Sequence, residues 1–127
     1  MTTGTPTFDS LRDQQYISLT TYRKNGNAVA TPVWFALDGG RMYIVTPATS
    51  GKAKRIRNGG RVSLAASDGR GTLKGPSMNA LAAVTEMVEG GVGDRALKAK
   101  YGWMYSAFSL LWRVRKIKPV VLEVRPT

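Results

Sequence analysis

The chain has 127 residues, a length that suits one domain, and carries 19 Lys plus Arg against 8 Asp plus Glu, a net charge of +11. It contains neither Cys nor His, which excludes a disulfide framework, a thiolate nucleophile, an imidazole base, a Ser-His-Asp triad and any Cys- or His-ligated metal. Any enzyme built on it takes its chemistry from carboxylates or from a bound cofactor.

Residues 1–15 form a polar arm, without the apolar core of a signal peptide. The arm ends in a short helix around Phe8–Gln14, with Asp9 or Ser10 as cap. Tyr16–Tyr22 is rich in β-branched and aromatic residues and sets Ile17, Leu19 and Thr21 on one strand face. Asn25-Gly26 marks a hairpin, and the return strand runs over Ala28–Leu37, with Val29, Thr31, Val33, Phe35 and Leu37 on one side. Pro32 cannot donate to a ladder, so this strand needs an edge or a bulge there. Asp38-Gly39-Gly40 turns the chain into a strand over Arg41–Thr46.

Ser50 caps a helix that ends at Asn58 before Gly59-Gly60. Arg61–Ser67 and Arg70–Lys74 read as two further strands. Ser77–Val88 has the composition of a helix and the alternation of a strand, and the surrounding meander favours the strand. Gly90–Gly93 is a joint, residues 92–113 a helical segment interrupted near Gly102, and Val120–Val124 a last strand after Pro119. The expectation is one mainly β domain over 1–127: an antiparallel barrel of six to seven strands dressed with helices.

Two places carry chemistry. Lys52, Lys54, Arg55 and Arg57 crowd one short helix, with Arg61 beyond. A helix start favours carboxylates, yet its first turn holds Lys52 and no acid. Taken alone the run reads as a solvated basic helix, but Ser50, the free amides and Lys52 would together make a phosphate site. Further upstream, Thr31-Pro32-Val33-Trp34 lies on a strand whose proline leaves neighbouring backbone groups unpaired, and a flat heteroaromatic ring can use them.

The pieces Tyr16–Thr21, Ala30–Phe35, Thr46 with Ser50-Gly51-Lys52, Arg61–Leu64, Lys74-Gly75 and Lys100-Tyr101-Gly102 occur in a distinctive order. In that order the chain resembles the pyridoxamine-phosphate-oxidase-like flavin and deazaflavin oxidoreductases. The resemblance implies an FMN-binding split barrel, paired as a homodimer with a cofactor groove between subunits. It lays the cofactor phosphate on Thr46, Ser50, Gly51 and Lys52, with Arg57 as a further ligand, and the ring on Thr31, Pro32, Val33 and Trp34. Many relatives carry Arg where this chain has Ser50, which weakens the clamp for the doubly charged phosphate of FMN. The branch it most resembles uses coenzyme F420, a 5-deazaflavin with a phosphodiester and a poly-glutamate tail. Lys54, Arg55 and Arg61 are candidates to line that tail.

The implied reaction is hydride transfer from reduced F420 to a small-molecule acceptor, with FMN as the alternative cofactor and no metal. No catalytic residue stands out; Tyr43, Tyr101 and Tyr105 are equal candidates to supply a proton. A nucleic-acid-binding barrel competes on charge alone, but the aromatic residues, 9% of the chain, are not interleaved with the basic run. Trp103–Trp112 followed by Arg113, Arg115, Lys116 and Lys118 has the content of an interfacial membrane helix. Apolar residues surround that helix, which favours packing between subunits over a membrane contact. A cytoplasmic location is expected.

Overall fold

The computed structural model describes residues 7–127. Seven strands form one antiparallel sheet: β1 (Tyr16–Tyr22), β2 (Ala28–Trp34), β3 (Ala36–Asp38), β4 (Arg41–Pro47), β5 (Arg61–Ser67), β6 (Met78–Glu86) and β7 (Pro119–Pro126). The order across the sheet is β2-β1-β5-β6-β7-β4-β3. Three α-helices accompany them: α1 (Gly51–Asn58), α2 (Val92–Tyr101) and α3 (Trp103–Val114).

The sheet is a split barrel because of one residue. β2 and β3 lie at opposite edges of the sheet, yet only Phe35 separates them in the chain. The polypeptide itself therefore carries one edge round to the other. The single strand expected over Ala28–Leu37 is in fact these two, with β2 paired to β1 and β3 paired to β4. Pro32 sits on an edge strand opposite Ser18, where its missing N–H leaves no ladder bond unmade.

A strand that changes partner leaves its own backbone groups unpaired at the break, and these must find other partners. The hydroxyl of Tyr101, at the end of α2, supplies them. It accepts from the Phe35 N–H at 3.0 Å and lies 2.9 Å from the Phe35 carbonyl and 2.7 Å from that of Gln15, sharing its one proton between the two. Burial pushes this phenol up to about 12.

The alternating faces of the strands meet inside the barrel. Ile17, Leu19, Phe35, Met42, Ile44, Leu64 and Leu122 form its closed core together with Ile56 of α1. A second, smaller cluster lies under α2 and α3, where Ala36, Leu97, Tyr101 and Tyr105 pack with Trp34 and Val45. The helical alternative for Ser77–Val88 is excluded, since β6 pairs with both β5 and β7. Arg70–Lys74 is not a strand. It makes one isolated bridge, Ser67 with Leu73, because Asp68 holds a loop by accepting from the amides of Arg70 and Thr72. The N-terminal helix is one 3-10 turn, Phe8–Leu11, flanked by Thr7 with no side-chain cap. Neither Asp9 nor Ser10 caps it: both lie inside the turn, and the Ser10 hydroxyl donates back to the Thr7 carbonyl. Residues 1–6 of the expected arm lie outside the described residues.

Lys100 reports on the same seam. Its ammonium is buried 3.5 Å from the centre of the Phe35 ring and has no hydrogen-bond partner among the described residues. Burial, and then the charge of Arg12, pull it down to about 8 from the usual 10.5. The unfolded chain keeps that proton to higher pH than the folded one. Stability is therefore expected to rise as pH climbs from about 8 towards 10.5. Urea midpoints of the protein and of Lys100→Met at pH 7.5, 8.5 and 9.5 (roughly spanning this window) check the sign: the rise is present in the first and absent in the second.

Candidate functional site

A cavity of about 380 Å³ opens between the β2–β4 side of the barrel and helix α3. Its barrel wall is Tyr16, Pro32, Val33, Trp34, Val45 and Thr46. Its helical wall is Leu97 from α2 with Tyr105, Phe108, Ser109 and Trp112 from α3, and Lys52 reaches in from α1. The lining is mainly apolar with a few polar groups at one end, the usual composition of a small-molecule site.

The polar end is built by the turn between β4 and α1. Ser50 is the N-cap of α1, and its side-chain oxygen accepts from the Ala53 amide at 3.2 Å. The Thr46 hydroxyl, buried at the end of β4, donates to the same oxygen at 3.0 Å. Ser50 thus accepts twice, and its own proton is left to donate outward. Gly51 and Lys52 open the helix, and their amides have no carbonyl one turn back within α1.

Two cations meet at this helix start. Lys52 is half-buried, and burial, followed by the charge of Arg55, lowers its pKa. Arg55 turns back along the helix. Its Nε donates to the buried Thr21 hydroxyl at 2.6 Å, and its guanidinium covers Gly51 so closely that a Cβ there would lie 2.7 Å from Nη1. Neither cation has a carboxylate partner: among the described residues the ion pairs are Arg12 with Asp9 and Arg41 with Glu123. Two cations, free amides and a spare hydroxyl proton at a helix N-terminus are the chemistry of a candidate anion site.

The structure thus brings Pro32, Val33, Trp34, Thr46 and Lys52 to one cavity, with Ser50 and Gly51 at its polar end. Thr31 is half-buried on β2, opposite Leu19, and does not line the cavity. Arg57 points elsewhere. It donates to the Ala48 carbonyl at 3.0 Å and borders a separate cavity with Val84, Glu86 and Lys118. Lys54 is exposed, and Arg61 lies over the Tyr22 ring, 4.6 Å from its centre.

Trp34 is held rather than free. Tyr101 stacks on one face with centres 4.4 Å apart, and Phe108 meets it edge-on at 4.9 Å. Of the tyrosines considered as proton donors, Tyr43 is remote from the cavity, packed near Gly93 and Val121. Tyr101 spends its hydroxyl on the barrel seam. Tyr105 lines the cavity, but its hydroxyl donates to Asp94 at 2.6 Å, and burial with that carboxylate raises its pKa. It therefore holds its proton tightly.

Sequence reasoning missed the helical wall. The signal was present: Tyr105, Phe108, Ser109 and Trp112 follow i, i+3, i+4, i+7 spacing and share one face of α3.

The Pyridoxamine 5'-phosphate oxidase family model matches residues 7–126. No curated protein matches significantly. Several solved structures share the fold. A conserved hypothetical protein from Mycobacterium tuberculosis is 25% identical with a TM-score of 0.66, over 91% of this chain and 74% of that one. An F420 reductase is 22% identical with a TM-score of 0.57, over 97% and 96% of the two chains. The heme storage protein from Vibrio cholerae is 12% identical with a TM-score of 0.68, over 94% and 87%.

Proposed function

The chain belongs to the pyridoxamine 5'-phosphate oxidase family, and we propose that it is a coenzyme F420-dependent oxidoreductase reducing a small-molecule acceptor in the cytoplasm. The observation that carries this reading is the half-buried Lys52 ammonium. It stands without a counter-ion where a mainly apolar cavity meets the start of α1. A cation placed there is costly until an anion joins it, and a ring-bearing phosphodiester satisfies both ends of the cavity at once. The F420 reductase among the structural neighbours accords with this choice of cofactor.

The residues present fit such a group. Lys52, the Gly51 and Lys52 amides and the Ser50 hydroxyl would hold the phosphate, and Arg55 adds charge behind them. Pro32 and Val33 on the β2 edge would face the ring, and Trp34, locked by Tyr101 and Phe108, would set the depth to which it enters. Thr31 lies on the same strand, paired with Leu19 and outside the cavity, and takes no part in holding the ring. The glutamate tail is assigned to the outer flank of Lys54 and Arg61, since Arg55 turns back over Gly51. Arg57, bonded to the Ala48 carbonyl beside a separate cavity, makes no contact with the cofactor.

The chemistry such a cofactor supplies when bound is hydride transfer. The chain itself binds, orients and excludes water through the aromatic wall of Tyr16, Phe108 and Trp112. Two copies pair around the cofactor in this reading, so light scattering is expected to give a dimer.

Titration of the purified protein with F420 and with FMN, followed by fluorescence polarisation, tests the proposal. Saturable binding of F420 with FMN weaker is the expected result. Binding of FMN alone would transfer the site to a flavin. Failure of both, with tight salt-sensitive binding of single-stranded DNA, would remove the cofactor reading altogether.

A further inference from the structure

Helix α3 has two apolar faces, and the barrel uses one. Tyr105, Phe108 and Trp112 line the cavity. On the opposite side Trp103, Ala107, Leu110 and Val114 follow i, i+4, i+7, i+11 spacing. That stripe faces outward, with Trp103 78% exposed, Leu110 59% and Val114 71%, and Leu111 beside it 43% exposed. Contiguous exposure of this kind marks a contact surface.

Apolar content alone favours a subunit contact for this helix; the charges around the exposed stripe point instead to a different surface. Between Asp94 and Glu123 the sequence has seven Lys or Arg and no acid. Lys98 flanks the start of α3, and Arg113, Arg115, Lys116 and Lys118 gather at its far end, all exposed. Glu89 and Asp94 border the groove shared by Lys98, Leu110 and Arg113. A second copy pressed against this face would still bring five cations against those two carboxylates, a like-charge excess that opposes pairing. An anionic surface is complementary. A tryptophan at one end of an apolar stripe with a cationic collar is the composition of a helix lying in the headgroup region of a bilayer.

We propose that the outward face of α3 docks the protein on an anionic lipid surface, with Trp103, Leu110 and Val114 entering the headgroup layer and the flanking Arg and Lys held by lipid phosphates. The contact is peripheral, since among the described residues no helix is long and apolar enough to cross a membrane. It is independent of the cofactor reading, because none of the stripe residues lines the cavity.

Flotation of the full-length protein with two kinds of vesicle tests it: phosphatidylcholine alone, and phosphatidylcholine with about 30% phosphatidylglycerol. The expected result is binding about tenfold tighter to the anionic vesicles, weakening with added salt. Trp103→Ala and Arg115→Glu are each expected to cut that binding several-fold. Trp103→Ala keeps the circular-dichroism spectrum and melting temperature of the parent protein, which shows that the variant is folded. Absence of binding to either vesicle overturns the proposal, as does binding that Trp103→Ala does not reduce. So does a dimer that Trp103→Ala dissociates, which would assign the stripe to a second copy of the chain.

Discussion

Tyr101→Phe is expected to lower the unfolding free energy by about 2–4 kcal/mol. The substitution keeps the ring that stacks on Trp34 and removes only the hydroxyl. Without it the Phe35 N–H and the Phe35 and Gln15 carbonyls lose their shared partner in the buried seam. Each buried backbone group left unpaired costs roughly 1–3 kcal/mol, and partial relaxation trims the sum. For a chain of this size the melting temperature should fall by about 8–15 °C.

Tyr105→Phe, which loses the bond to Asp94 but leaves the barrel seam intact, is the control and should cost less. The pH dependence gives a second readout. Folding raises the Tyr101 phenol from 10 to about 12. The unfolded chain therefore loses this proton first, and the stability due to Tyr101 is lost as pH rises through that range. Tyr101→Phe removes this component. Melts by circular dichroism at neutral and alkaline pH measure both effects. A loss below about 1 kcal/mol would mean that water replaces the hydroxyl at the seam.

Lys52→Ala is expected to weaken F420 binding by about 1.5–3 kcal/mol, or roughly tenfold to a hundredfold, the worth of one charge-assisted bond to phosphate. The unliganded protein should not suffer, because the change removes a half-buried cation that Arg55 repels. Binding and stability thus move independently, as they do at a residue kept for a ligand.

The proton linkage follows from the same contact. Burial and Arg55 lower the Lys52 pKa in the free protein, and a bound anion raises it again. Affinity should therefore fall as pH rises through the free protein's Lys52 pKa, and the Ala variant should lack that fall. Unchanged affinity in Lys52→Ala would remove this residue from the site.

Much of this was legible residue by residue. Alternation placed Ile17, Leu19 and Thr21 on the buried face of β1, and all three are buried. Asn25-Gly26 predicted a hairpin, and Gly26 turns with φ +89° between β1 and β2. Ser50 caps α1 as its chemistry demands. Each of these follows from interactions within a few residues. The break at Phe35 was not legible, because Ala28–Leu37 satisfies the strand pattern throughout. What divides it is pairing: β1 claims one half and β4 the other, and the partner that permits the break, Tyr101, lies 66 residues away.

The sequence by itself determined the mainly β course of the chain, the Ser50 cap and cation-bearing first turn of α1, and the absence of any Cys or His chemistry. These depend on local backbone preference, side-chain period and composition. Only the tertiary structure decided which cations gather with Lys52, which face of α3 closes the cavity, and where Arg57 points. A helix that is apolar on both sides carries no mark of which side the barrel will meet. Arginine reaches whatever oxygen the fold leaves within its length: for Arg55 this is the hydroxyl of Thr21, and for Arg57 the carbonyl of Ala48.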